Sequence, residues 1–180
     1  MKRFDRVLRN WRIRKALPHL AEVERLLDVG CGDGELLRQF GRNGVGIDPR
    51  LAKPDGVPGV QFVCGNFPDD FPAVEPVDAI TMLAVFEHVP KTNKPAWLSA
   101  CRRLLADDGC VVLTVPSPRV DAILAVLRFF RLVDGMMLEE HHGFDPGEVT
   151  PLFESAGFRL VTHKTFQFGL NNLFVFTKND

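Results

Sequence analysis

An α/β fold built on a mostly parallel sheet is what this sequence predicts. Three observations carry the prediction. Short runs rich in Leu, Ile and Val end in Gly, Asp or Pro; stretches with helical spacing separate them; and the chain closes with two strand-like segments joined by a short link. Buried strands alternating with helices favour parallel pairing, because helical crossovers cover both sheet faces.

In chain order, residues 26–30 form an apolar run ending in glycine, read as a buried strand, and 35–40 follow with helical spacing. Residues 45–47 are the second strand, closed by Asp48-Pro49; 61–64 are the third and 77–83 the fourth. The crossover 48–60 holds Pro49, Pro54, Gly56, Pro58 and Gly59, which leaves room for one helical turn at most. Residues 95–105 place Trp97, Leu98, Cys101, Leu104 and Leu105 on one side of a helix; Asp108-Gly109 then turns the chain into a fifth strand at 110–115. Asp145-Pro146-Gly147-Glu148 reads as a helix start with Asp145 as N-cap, Glu148 in a capping box and Phe144 stapled to Val149. Pro151 predicts a bend or a tight first turn, and Gly157 a stop. Strands at 158–166 and 172–177 form the closing antiparallel pair.

At 180 residues the chain suits one domain, 1–180, with a basic helical segment at 1–25 and an inserted segment at 117–143. Its net charge of −1 supplies no field for nucleic acid, and none is expected as a partner. The charge is uneven, however. Between Lys2 and Lys15 the only acid is Asp5. Such a run is usually the solvated face of an amphipathic helix; the alternative is a patch for an anionic substrate or a lipid surface. No apolar stretch follows it, so no targeting leader is expected. Cys31, Cys64, Cys101 and Cys110 form no C-x-x-C pair and no zinc-ligand spacing, which predicts reduced thiols, a cytoplasmic setting and no metal.

The chemistry is concentrated in Leu26-Leu27-Asp28-Val29-Gly30-Cys31-Gly32-Asp33-Gly34-Glu35, a strand, a glycine-rich turn and a helix start. Such a turn sets backbone N–H groups and a helix end beside a ligand. A dinucleotide site needs a third glycine where this chain has Glu35. Asp28, Asp33 and Glu35 would repel a diphosphate and accept an ammonium or a sulfonium. Asp48, at the end of the next strand, is placed to accept hydrogen bonds from ribose hydroxyls.

On these residues the sequence resembles the class I S-adenosylmethionine-dependent methyltransferases, in particular the small-molecule group that includes ubiquinone and menaquinone methyltransferases. The run 28–34 is similar to that family's first motif, Asp48 to its ribose-binding acid, and Gly65-Asn66-Phe67 to its adenine-contacting position, where Asp is more usual. Val85-Phe86-Glu87-His88-Val89-Pro90 resembles the segment after strand four. Residues 104–109 resemble the entry to strand five. The resemblance implies a Rossmann-like three-layer sandwich whose seven-stranded sheet has an antiparallel last strand. It implies S-adenosylmethionine as cofactor, S-adenosylhomocysteine as product and a small-molecule acceptor. Gly30, Cys31, Gly32 and Gly34 would hold the methionine part, Asp48 the ribose, and Asn66 and Phe67 the adenine, with Asp28 and Pro49 also cofactor-binding. Leu83 would offer its carbonyl to the methionine amine.

Other candidates stay open between two readings. Glu87 and His88 either brace the following segment or face the acceptor, with His88 removing its proton; an imidazole titrates in the right range. Glu139-Glu140-His141-His142 is too contiguous to converge on one ion; by resemblance His141 or His142 is an acceptor contact. Residues 120–137 are apolar over more than one stripe, as a core helix, a lid over a hydrophobic acceptor or an interfacial helix would be. Two rival functions remain: a nicotinamide-dependent oxidoreductase, opposed by Glu35, and a non-catalytic cofactor-binding partner. The acceptor atom and the oligomeric state have no signal in the sequence.

Overall fold

The computed structural model describes residues 3–51, 56–72, 75–117 and 145–179, with side chains from Arg6 onward. The expectations for residues 118–144, including His141, His142, the lid and the Phe144 staple, lie outside the described residues.

Helix α1 (Arg3–Ala16) and a 3-10 turn (Leu17–Leu20) precede β1 (Arg25–Val29), α2 (Glu35–Phe40), β2 (Asn43–Asp48), β3 (Val60–Cys64) and β4 (Val77–Leu83). Then follow α3 (Lys94–Leu104), β5 (Leu105–Pro116), α4 (Val149–Ser155), β6 (Phe158–Phe166) and β7 (Asn171–Lys178). The seven strands lie in the order β3-β2-β1-β4-β5-β7-β6. β3, β2, β1, β4 and β5 run parallel, and β7 is antiparallel to both β5 and β6. This is the architecture the sequence predicted.

Each face of the sheet carries its own apolar layer. One holds Leu27, Ile80, Leu98, Phe153 and Phe176 under α3 and α4, where the rings of Phe153 and Phe176 stack at 4.2 Å. The other holds Ile13, Ala16, Leu37, Val112 and Leu173 under α1 and α2. Fully burying one such side chain contributes about 1.5–3 kcal/mol, so α1 is fastened to the sheet by Ile13 and Ala16 despite its charge.

Two local expectations are corrected and a third is met. The Asp108-Gly109 turn does not precede β5 but lies inside it: Leu105 already pairs with Val77, and an irregularity takes up the residues before Cys110 pairs with Ala79. The capping box at Glu148 does not form. Asp145 accepts from the Gly147 amide at 2.8 Å, while the Glu148 carboxylate turns to Lys91, whose Nζ donates to it at 3.1 Å. Pro151 tightens the start, as expected: Pro146–Glu148 is a 3-10 turn, and the α-helix begins at Val149, which puts Pro151 in a first turn where its missing N–H is harmless.

Candidate active site

In this architecture ligands bind beyond the carboxyl ends of the parallel strands, where the strand order reverses. Here the reversal falls between β1 and β4. The turn after β1 is shaped by three left-handed glycines: Gly30, Gly32 and Gly34, with φ of 76°, 57° and 75°. At Gly30 the requirement is double, because an added Cβ would sit 2.3 Å from Val85 Cγ2 in a conformation L side chains rarely adopt. At Gly32 nothing lies within 4 Å of the same point, so the backbone borders open space.

The donors of the turn are mostly used within the protein. Gly30 and Cys31 donate to the Ile47 carbonyl at 2.8 and 3.3 Å, and Gly34 donates to Cys31. The Gly32 amide donates to Asp48 Oδ2 at 3.0 Å, and the Arg50 amide to Asp48 Oδ1 at 2.7 Å. The expectation of several N–H groups aimed at a ligand is therefore corrected. The turn offers space and carboxylates, which suits a ligand without phosphates. Cys31 contributes its backbone only; its side chain is buried against Gly46, and burial pushes the thiol pKa up.

The acidic field is also narrower than the sequence implied. Asp33 is bracketed by Arg9 Nη1 at 2.7 and 2.8 Å. Burial pulls its carboxyl upward, but the Arg9 hydrogen bonds and charge prevail and hold it below the ordinary range. Glu35 is engaged by Arg38 and by Gln39 Nε2 along α2. Asp28 and Asp48 remain. Asp28 is 4% exposed and accepts from Thr81 Oγ1 at 2.7 Å. Burial raises its pKa to about 7, the Thr81 bond opposes this, and the nearby Asp48 charge adds to it. A cation beside the pair would relieve both.

A cavity of about 580 Å³ opens next to the turn. Of the residues singled out in the sequence, it brings together Gly30, Pro49, Asn66, Phe67 and His88. Asn66 stands at the end of β3; its backbone amide and Nδ2 donate to Asp70 Oδ2 at 2.8 and 3.4 Å, leaving the amide oxygen as its acceptor. Phe67 is both core and wall: 5% exposed, it meets Trp97 edge-on at 5.1 Å. His88 is exposed on the rim. Glu87 points inward instead, 2% exposed, with Oε2 lacking a hydrogen-bond partner. Burial raises its pKa to about 7, against the pull of a backbone hydrogen bond and of the Arg12 and Lys94 charges. Leu83 ends β4, and its side chain packs into the α1–α2 layer. Cys31, Gly32, Gly34, Asp28, Asp48 and Leu83 do not line this cavity; they frame the turn beside it.

Sequence reasoning missed four contributors. Thr81 and Arg9 act on residues 53 and 24 positions away, a separation no local pattern encodes. Trp97 reads only as part of one side of a helix, although it lines the cavity. Ala84 adopts φ 60°, turning the chain directly after Leu83; an alanine gives no sign of this.

Comparisons with known proteins bear on the family and the fold. The model of the methyltransferase domain family matches residues 2–163. The ubiquinone biosynthesis O-methyltransferase of Neisseria meningitidis is 28% identical over 160 residues, which span 78% of this chain and 66% of the relative. Among solved structures, a TehB-like S-adenosylmethionine-dependent methyltransferase from Corynebacterium glutamicum superposes with a TM-score of 0.67 at 18% identity, covering 98% of this chain and 96% of that one. The magnesium protoporphyrin IX methyltransferase of Synechocystis, solved with bound S-adenosylhomocysteine, gives 0.68 at 16% identity, covering 97% and 85%. The chain belongs to the methyltransferase domain family, as its resemblance to the class I S-adenosylmethionine-dependent enzymes implied.

Proposed function

We propose that this protein transfers the methyl group of S-adenosylmethionine to a small acceptor with an apolar body. The observation that carries the reading is the turn after β1: its glycine amides are bonded internally, Gly32 faces open space, and the Asp28 and Asp48 carboxylates flank it. A sulfonium and an ammonium fit such a site; a diphosphate does not.

The cofactor supplies an electrophilic methyl on sulfur when bound. The chain's part is to hold and align. The turn at Gly30 and Gly32 would receive the methionine portion, with the Leu83 carbonyl accepting from its amine. Asp48 already accepts one backbone N–H on each oxygen; the second lone pair of each is available to the ribose hydroxyls. Pro49 borders the sugar. The Asn66 oxygen would accept from the adenine amino group, against the wall made by Phe67. Val85 and Trp97 line the same cavity, and their apolar surfaces would exclude water once it is filled. His88, on the rim, would take the proton an acceptor hydroxyl or amine releases. Positioning alone can account for several kcal/mol of such a barrier.

The test is release of S-adenosylhomocysteine from S-adenosylmethionine with a panel of phenols, catechols and amines of increasing apolar surface. Turnover that rises with apolar surface supports the reading. Binding of S-adenosylmethionine without turnover on any acceptor would contradict it and favour a non-catalytic partner protein. A His88→Asn variant separates the roles: proton removal predicts a fallen kcat with an altered pH profile, bracing alone an altered stability.

A further inference from the structure

One surface of the molecule has no part in the site just described. Phe168, at the tip of the β6–β7 link, is 94% exposed, and Val7 on α1 is 59% exposed. Trp11 lies between them in the fold: its ring meets Phe168 edge-on at 6.2 Å, and it stands one helical turn from Val7. Val7, Asn10, Trp11, Arg14 and Lys15 line a shallow cleft of about 470 Å³ on the outer face of α1.

The presentation of Phe168 is built in. Gln167 and Phe168 both adopt positive φ, 52° and 59°, ahead of Gly169 at 80°. For a bulky aromatic this is a rare conformation. The neighbouring Gln167 fixes it: 4% exposed, it donates from Nε2 to the Leu8 carbonyl of α1 at 3.2 Å and accepts from Asn171 Nδ2. The link is thereby tied to α1, and the ring it displays is directed to solvent.

The surroundings are basic. Arg6, Arg14 and Lys15 are exposed on α1. Lys164, exposed on β6, pairs in register with Leu173, whose side chain belongs to the α1 layer, so it lies on the same face of the sheet. Its charge also reaches His19, just after α1, whose pKa is lowered first by burial and then by Lys164. An apolar tip ringed by cations, on a helix whose inner face is buried, has the chemistry of an interfacial anchor.

We infer that the outer face of α1 and the β6–β7 link dock the protein onto an anionic lipid surface, with Phe168, Trp11 and Val7 entering the headgroup region and Arg6, Arg14, Lys15 and Lys164 meeting lipid phosphates. Arg9, on the inner side of the same helix with Ile13 and Ala16, bonds Asp33 in the glycine turn, so α1 joins the docked face to the cofactor turn. An apolar acceptor could then pass from the bilayer to the site. The docking itself does not depend on methyl transfer.

The test is co-sedimentation of the full chain with phosphatidylcholine vesicles, with and without phosphatidylglycerol. Binding is expected only with the anionic lipid and weakens with salt. Phe168→Ser and the double variant Arg14→Glu/Lys15→Glu should each lose at least about tenfold in partitioning. Phe168 is almost wholly exposed, so a circular dichroism melt should leave its variant unchanged. Equal sedimentation with both vesicles, no sedimentation with either, or variants that bind like wild type would overturn the inference. So would a concentration-dependent dimer in light scattering that Phe168→Ser abolishes, since a second copy would then cover the patch.

Discussion

The two ends of the candidate site are built differently. The turn after β1 is tied down on every side: Gly30 and Cys31 bond to Ile47, Gly32 bonds to Asp48, and Asp28 bonds to Thr81 in the core. The turn after β3 is held by the Gly65 amide on the Asp48 carbonyl, by its own backbone bonds and by the Asp70 carboxylate, and it opens on a wide cavity beside an exposed Asn66. The first region is preorganised and intolerant of change. The second is open only at the exposed Asn66; an added Cβ at Gly65 would sit 2.5 Å from Asp70 Cβ. On the proposed function, the turn after β1 would set how tightly the donor is held, and Asn66 at the end of β3 would contribute less.

The comparison is broken most forcefully at Gly30. Gly30→Val adds a branched side chain against Val85 at positive φ; overpacking and backbone strain together should cost roughly 2–4 kcal/mol. Urea denaturation reads the stability, and calorimetry should find no S-adenosylmethionine binding.

The buried carboxyls give the next largest effect. Asp28 and Glu87 both have folded pKa values raised to about 7, first of all by burial. Each holds its proton more tightly folded than unfolded. Their contribution to stability is therefore greatest below the ordinary carboxylate range and is lost as pH rises toward 7. Asp28→Asn keeps the shape and removes the titration. Between pH 4 and 8 its urea midpoint should fall less than that of wild type, by up to about 4 kcal/mol in free energy; parallel curves would refute the assignment.

Thr81→Val, nearly isosteric, removes the donor to Asp28 and should cost about 1–3 kcal/mol, measurable in the same titration. Asn66→Ala tests the looser end: S-adenosylmethionine affinity should fall by roughly tenfold or less, the value of about one neutral hydrogen bond, with stability unchanged. Smallest is Arg9→Ala. Its pair with Asp33 is half-exposed, so stability should drop by about 1 kcal/mol at most.

Legibility in the sequence follows the same division. The parallel strands are readable because each is a short apolar run, most of them stopped by Gly, Asp or Pro, and β4 and β6 fall where expected, at Val77–Leu83 and Phe158–Phe166. The glycine turn and Asp48 were readable because backbone geometry leaves its mark on residue type. What could not be read is what depends on distant partners. Thr81 sits in a run that reads as plain strand, and Arg9 in a charge run that reads as solvated. Glu148 was assigned to its own helix cap, but Lys91, 57 residues away, competes for the carboxylate. Ala84 and Phe168 take left-handed conformations that only their surroundings impose.

On the proposed function, the turn after β1, short of spare N–H donors and flanked by Asp28 and Asp48, selects a cationic, phosphate-free donor. Calorimetric titration with S-adenosylmethionine and with NAD, on wild type and Asp48→Ala, tests it most directly. Saturable S-adenosylmethionine binding is expected, at least about tenfold weaker in Asp48→Ala, where hydrogen bonds to a charged acceptor are lost, with no NAD binding in either. NAD binding to wild type, or S-adenosylmethionine binding untouched by Asp48→Ala, would contradict it.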